Sequence, residues 1–227
     1  PWKVARESVA HADIVVCDYN HLFNDRVRAA SLDAMGVTMD EVILVVDEAH
    51  NLPNRITQGM KRVLDAKLVQ DARLELEEHI ETLEDESDDV AVPDIARMHR
   101  AKAALERIRN DLLAWMRVQS QALAKAQAQA KGRDREVKEN RVPNVDLLDT
   151  LNAALKADLE PNPLRLDQIA AIMAGVKIEI DPELDDEKES ASERLANLFG
   201  LLAHLGTSSA LALVFSHGVG DIPKVTT

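Results

Sequence analysis

The chain has 227 residues, enough to bury a sizeable core as one large domain or two small ones. Its 40 Asp and Glu outnumber its 27 Lys and Arg, and the formal net charge of -13 argues against a broad nucleic-acid-binding surface; any such contact must be a local basic groove. The longest apolar run, Ile43-Leu44-Val45-Val46, is far too short to cross a bilayer, and a lone cysteine excludes an internal disulfide, a structural zinc site or a self-contained iron–sulfur cluster.

No basic, apolar leader opens the sequence, so secretion is not expected. A reducing, cytoplasmic, prokaryotic or archaeal setting is expected instead, with no membrane partner. The first residue is Pro1 rather than Met, which fits a trimmed N-terminus or a piece of a longer protein.

Val4 to Ala10 has helical spacing. Asp13 to Cys17, DIVVC, is a short β-branched run of the kind buried on both faces of a parallel sheet, with Cys17 as a small core residue. Tyr19 to Gly36 has helix-compatible spacing through Leu22, Phe23, Val27, Ala30 and Ala34, and Gly36 fits the helix C-terminus. Glu41 to Val46 is a second buried-strand candidate. Strand, helix, strand in this order predicts a right-handed crossover and a parallel sheet, too short to complete a doubly wound domain.

After Pro53 the pattern turns helical, with Leu64, Leu68, Ala72, Leu76, Ile80 and Leu83 at helical spacing. An acidic break, Glu84 to Asp89, precedes a long helix opened by Pro93-Asp94. Met98, Leu105 and Leu112 repeat every seven residues, with Ala101, Ile108, Trp115 and Ala122 between them, which is a bundle seam. The seam is expected to pack against the Leu64–Leu83 and Ser192–Leu205 helices, with Trp115 in the core. Ala124 to Ala130 is helix-forming but poor in core residues, a solvated end. Gly132 to Arg141 reads as a charged loop, Val145 to Leu155 and Leu164 to Met173 as shorter helices, and Ile178 to Ile180 as a small strand. Asp181 to Glu189 reads as an acidic loop, Ser192 to Leu205 as a last helix and Ser209 to Ser216 as a strand.

The strongest chemical signal is Val45-Val46-Asp47-Glu48-Ala49-His50. An apolar strand delivers two adjacent carboxylates and, one small residue later, a histidine. The C-terminal edge of a parallel sheet is where α/β folds hold ligands. In nucleotide hydrolases an acid here helps hold Mg²⁺ on the phosphates, and the next can orient the attacking water. Asp47 is therefore assigned to Mg-ATP and its metal, Glu48 to the water, and His50 to sensing the γ-phosphate. The plainer alternative is a loop or helix start with Asp47 as its N-cap.

Ala12-Asp13-Ile14-Val15-Val16-Cys17-Asp18-Tyr19-Asn20-His21-Leu22-Phe23 resembles the segment that follows the iron–sulfur domain in XPD-type DNA helicases. Asp47-Glu48-Ala49-His50-Asn51-Leu52 resembles their motif II, the DEAH box, and Pro1-Trp2-Lys3-Val4-Ala5-Arg6-Glu7 resembles the stretch after their last cluster cysteine. The resemblance implies an α+β chain in three parts. Residues 1–58 would be an incomplete parallel α/β piece of a RecA-like helicase domain, 59–206 a mainly α-helical inserted Arch domain, and 207–227 a return strand. It further implies a parent that unwinds DNA 5′ to 3′ with ATP and carries a 4Fe-4S cluster, with single-stranded DNA as partner and protein partners through the Arch. The sequence holds no G-x-x-x-x-G-K-[ST] and no cluster cysteines, so the fragment is expected to be inactive and to bind neither cofactor alone.

Lys125, Lys131, Arg133, Arg135, Lys138 and Arg141 form the densest basic patch. It could line the single-stranded DNA route; Glu136 and Glu139 interleaved within it, and the absence of aromatic platforms, also fit a solvated loop. Tyr19 and Asn20 follow a strand end and are read as facing DNA or motif II, or else as local packing. Two other readings remain open: a DinG-like helicase with a comparable insertion, and a non-catalytic helical protein-interaction module.

Overall fold

The computed structural model describes residues 8–9, 11–86, 92–129, 139–156, 163–177, 189–218 and 221–227. The chain divides into two compact units, Pro1–Lys61 and Arg62–Thr227.

In the first unit Asn20–Phe23 forms helix α1, Asp25–Met35 forms α2, and Leu52–Met60 forms α3 after a 3-10 turn at Ala49–Asn51. Gly36 ends α2 at φ 68, where a side chain would be strained. Its N–H donates to the Asp33 carbonyl at 3.1 Å and the Val37 N–H to that of Leu32 at 3.2 Å, the paired bonds of a Schellman cap. The helix expected over Tyr19–Gly36 is thus present, broken at Asn24, which is extended with ψ 114.

The two expected buried strands are not formed. Residues 14–18 and 42–46 carry no ladder, and Ile14 (84%), Val16 (95%), Ile43 (96%) and Val45 (86%) stand exposed. The physical reason is that a strand is completed by neighbours on both edges and a layer on each face. Cys17, expected in a core, is likewise exposed.

The second unit has one apolar core around helices α4 (Ala66–Glu86), α5 (Val92–Gln129), α6 (Asn144–Lys156), α7 (Leu166–Ala174) and α8 (Ala191–Leu205). Asp65 starts α4 by accepting the Leu68 N–H at 2.7 Å, and Ser190 starts α8 by accepting that of Glu193 at 3.0 Å. Ala101, Leu105, Ile108, Leu112 and Trp115 are buried as the seam requires, and Met98 packs partly buried against them. Each large side chain so buried contributes roughly 1.5–3 kcal/mol. Ala122 is a correction: it is exposed, and Met116 and Leu123 carry the core side onward, because 3.6 residues per turn drift from a strict seven-residue repeat. The packing expectation is also corrected in part. The seam helix lies against α4 as expected, but its other main neighbour is α6, while α8 packs on α7 and α4.

Four antiparallel strands close this unit in the order β1-β4-β3-β2: Val63–Leu64, Lys224–Thr226, Leu213–Ser216 and Glu139–Val142. Leu64 pairs with Val225, and Val225 with Phe215, so three buried side chains form one row across the sheet. Trp115 meets Phe215 edge-on, with centroids 6.0 Å apart. The expected strand over Ser209–Ser216 is shorter, and residues 139–141 of the expected charged loop are strand. Ile178–Ile180 lies outside the described residues, as do most of Val4–Ala10 and Asp181–Glu189. The sheet also brings the unit's two ends together: Thr227 N–H donates to the Arg62 carbonyl at 2.9 Å and Arg62 N–H to Thr227 Oγ1 at 3.1 Å.

Candidate functional site

Glu41–Val46 is launched by a polar turn in which the Thr38 N–H and hydroxyl reach the Glu41 carboxylate at 2.9 and 2.8 Å. These bonds hold the Glu41 carboxyl below its usual range, and the Thr38 hydroxyl does the same for Asp40. The extended run then delivers Asp47 and Glu48, both exposed.

Glu48 sits at φ 50, ψ 41, in left-handed backbone. Among the described residues it is the only non-glycine at positive φ. Its N–H donates to Asp47 Oδ1 at 2.9 Å, and its carbonyl accepts the Asn51 N–H at 2.9 Å to open the 3-10 turn. Asp47 therefore ties down the next peptide rather than capping a helix, which removes the N-cap alternative. His50 Nδ1 lies 3.2 Å from the Glu48 carboxylate, and both side chains are exposed. Asp47, Glu48 and His50 are thus brought together on one solvent-facing turn. Both carboxylates are open to solvent there, and the imidazole lies beside that of Glu48.

Tyr19 reaches this turn from the head of α1. Its hydroxyl donates to the Asp47 main-chain carbonyl, with the Glu48 carbonyl at 3.2 Å. Phe23 packs edge-on to its ring, 6.5 Å between centroids. Of the orientations open for Tyr19, the one toward Asp47 and Glu48 is adopted. Beside it, Tyr19, Asn51, Asn54, Arg55 and Gln58 line a polar cleft of about 430 Å³. Asn51, Asn54, Arg55 and Gln58 fall at helical spacing on one face, and no carboxylate joins them. That face went unnoticed in the sequence, although the spacing alone could have marked it.

The basic patch is not assembled among the described residues. Lys125 is exposed near the end of α5 and Arg141 is exposed on β2, paired opposite Val214; Lys131, Arg133, Arg135 and Lys138 lie outside the described residues. No cluster of three or more potential metal-ligating side chains occurs among the described residues. With one cysteine in the sequence, this chain cannot by itself ligate a four-thiolate cluster. No helix among the described residues is long and apolar enough to cross a membrane.

Residues 1–68 match the model of the DEAD_2 family. The chain is also similar to the Fanconi anemia group J protein homolog of Gallus gallus, 30% identical over 77 residues. That stretch is 34% of this chain and 6% of the relative's length. The DEAD_2 match takes in Tyr19 and the Asp47-Glu48-Ala49-His50 turn.

Proposed function

We propose that the chain is part of an ATP-dependent DNA helicase of the XPD type, in which Asp47 holds Mg-ATP, Glu48 orients the attacking water and His50 couples the γ-phosphate to the nucleic-acid site. The observation that carries this reading is the exposed carboxylate pair on a turn at the end of an apolar run, inside the stretch similar to the DEAD_2 family. Ile14, Val16, Ile43 and Val45 support it as well. Extended β-branched runs exposed to this degree suit strands whose sheet is completed by other parts of a longer protein. The second unit takes in the Arch-like insertion that gates single-stranded DNA, expected over 59–206, with the basic residues from Lys125 to Arg141 assigned to the route; Leu213–Ser216 and Lys224–Thr226, from the stretch expected as a return strand, pair within this unit's own sheet, and its paired first and last strands suit an inserted module. The phosphate-cradling loop, and the thiolates of any 4Fe-4S cluster, belong to other segments of the longer protein.

The similarity to the Fanconi anemia group J protein homolog favours a second assignment among the helicases, to a type nearer that relative; a DinG-like helicase fits the same turn. The test is on the full-length protein. Asp47→Asn and Glu48→Gln should each lower ATP turnover by about 100-fold or more while single-stranded DNA binding stays near wild type. Near-normal turnover in Glu48→Gln overturns the assignment. Leu112→Ala should impair unwinding more than ATP hydrolysis, and equal loss of both argues against the gate and for the interaction module.

A further inference from the structure

We infer that Tyr19 is a positioning residue for Glu48: its hydroxyl fixes the peptide that aims the carboxylate at the attacking water. The inference rests on the helicase reading of the Asp47-Glu48-Ala49-His50 turn and adds a residue outside that motif. Left-handed backbone at a residue with a Cβ persists only where the surroundings enforce it. Two groups hold the Asp47–Glu48 peptide: the Asp47 carboxylate accepts from its N–H, and the Tyr19 hydroxyl donates to its carbonyl. On the peptide that follows, the Glu48 carbonyl accepts the Asn51 N–H, with the Tyr19 oxygen 3.2 Å away. The carboxylate and the Asn51 bond arise within the turn. Tyr19 alone comes from elsewhere, 28 residues earlier in the chain, and so ties the turn to α1.

The tie is directional. Phe23, one helical turn on, packs against the Tyr19 ring edge-on and keeps the hydroxyl pointed at the turn. A phenylalanine would preserve that ring contact and lose only the donor. Rotation of the freed peptide would swing the Glu48 carboxylate without altering its chemistry. The hydroxyl is bonded to the backbone of the turn, and so acts through Glu48. Loss of such a group falls on the transition state, in which the water must be aligned, rather than on ground-state nucleotide binding.

The experiment uses the full-length protein with Tyr19→Phe, Glu48→Gln and the double substitution, with turnover normalised to the fraction that binds single-stranded DNA so that partial unfolding does not mask the result. Tyr19→Phe should lower kcat about tenfold, the rate equivalent of one net hydrogen bond, with KM for ATP changed less than about twofold. In the Glu48→Gln background the same change should have no further effect. Wild-type kcat in Tyr19→Phe, a loss confined to KM, or an undiminished tenfold loss on top of Glu48→Gln each overturns the inference. Normal turnover in Glu48→Gln itself brings down the helicase reading, and this inference with it, a pattern distinct from failure of Tyr19 alone.

Discussion

Leu112 and Ile43 are both aliphatic residues within strongly apolar patterns, yet Leu112 is fully buried and Ile43 is 96% exposed. Leu112 belongs to a helix, which satisfies its own backbone and needs cover along one stripe only; α4 and α6 supply it within the same unit. Ile43 belongs to an extended segment, which needs hydrogen-bonded neighbours on its edges and layers on its faces. In the first unit Ser31 alone, among described residues, is buried, whereas the second unit closes a core from Leu64 to Val225. One unit holds its own partners. The other, among its described residues, buries no apolar side chain.

The largest test of that contrast is to separate the units. Residues 62–227 alone should melt in one cooperative transition by circular dichroism, and residues 1–61 alone should show none; a cooperative melt of the short piece breaks the comparison. Next comes Leu112→Ala, which should cost about 2–5 kcal/mol in urea unfolding of the second unit, because a fully buried aliphatic side chain leaves a cavity. Glu75→Ala follows at about 2 kcal/mol. The Glu75 carboxylate receives the Ala191 N–H at 2.9 Å, the Ser192 N–H at 2.6 Å and the Ser192 hydroxyl at 2.6 Å, so one residue of α4 caps the start of α8 across the core.

Acid should have a smaller effect on the second unit. Burial first, and then the positive charge of Lys177, hold the His79 imidazole below its ordinary 6.5. The folded protein therefore keeps His79 neutral where the unfolded chain protonates it. Nothing is lost above about pH 6.5, and stability declines as pH falls below it until the folded imidazole protonates as well. Glu77, held low by its hydrogen bond from Lys102, adds a loss of the same sign at more acid pH. Urea midpoints followed from about pH 8 to about pH 5 should fall less in His79→Gln than in wild type. The smallest expected effect is Ile43→Ala, under about 0.5 kcal/mol in this chain because the side chain is already in water. The same substitution in the full-length protein should cost several-fold more if the sheet closes there, and equal small costs in both would deny that it does.

The helices were readable because apolar spacing reports a local property. Leu68 to Leu83 and Met98 to Trp115 need no knowledge of distant sequence to be placed on helices, and the cap at Gly36 is written in one residue; Leu64, expected on the first of these helices, lies instead on β1, whose partner Val225 is distant in the chain. The sheet of the second unit was not readable in the same way. Val63 pairs with Thr226, and Arg141, in a charged stretch, pairs with Val214. Neither partner leaves a periodic trace in the other. In the first unit the apolar runs announce strands, but announcing a strand does not supply its neighbours. For the candidate site, Asp47, Glu48 and His50 stand adjacent in the chain and were visible together. The contact of Tyr19 with their backbone depends on how α1 folds back, and the sequence left that orientation open. The cap by Glu75 on Ser192 was hidden for the same reason, since a carboxylate in an amphipathic helix looks like a solvated one.

The meeting of Arg62 and Thr227 has a consequence for any protein that contains this unit. The free energy of holding two chain positions together grows with the logarithm of the segment between them only while that segment is flexible. Here the described residues between them share one apolar core, and β1 and β4 fasten Arg62 and Thr227 side by side, so a domain surrounding such a unit would experience it much as it would a tight turn. Evolution could lengthen, trim or replace such an appendage with little entropic consequence for the fold that carries it.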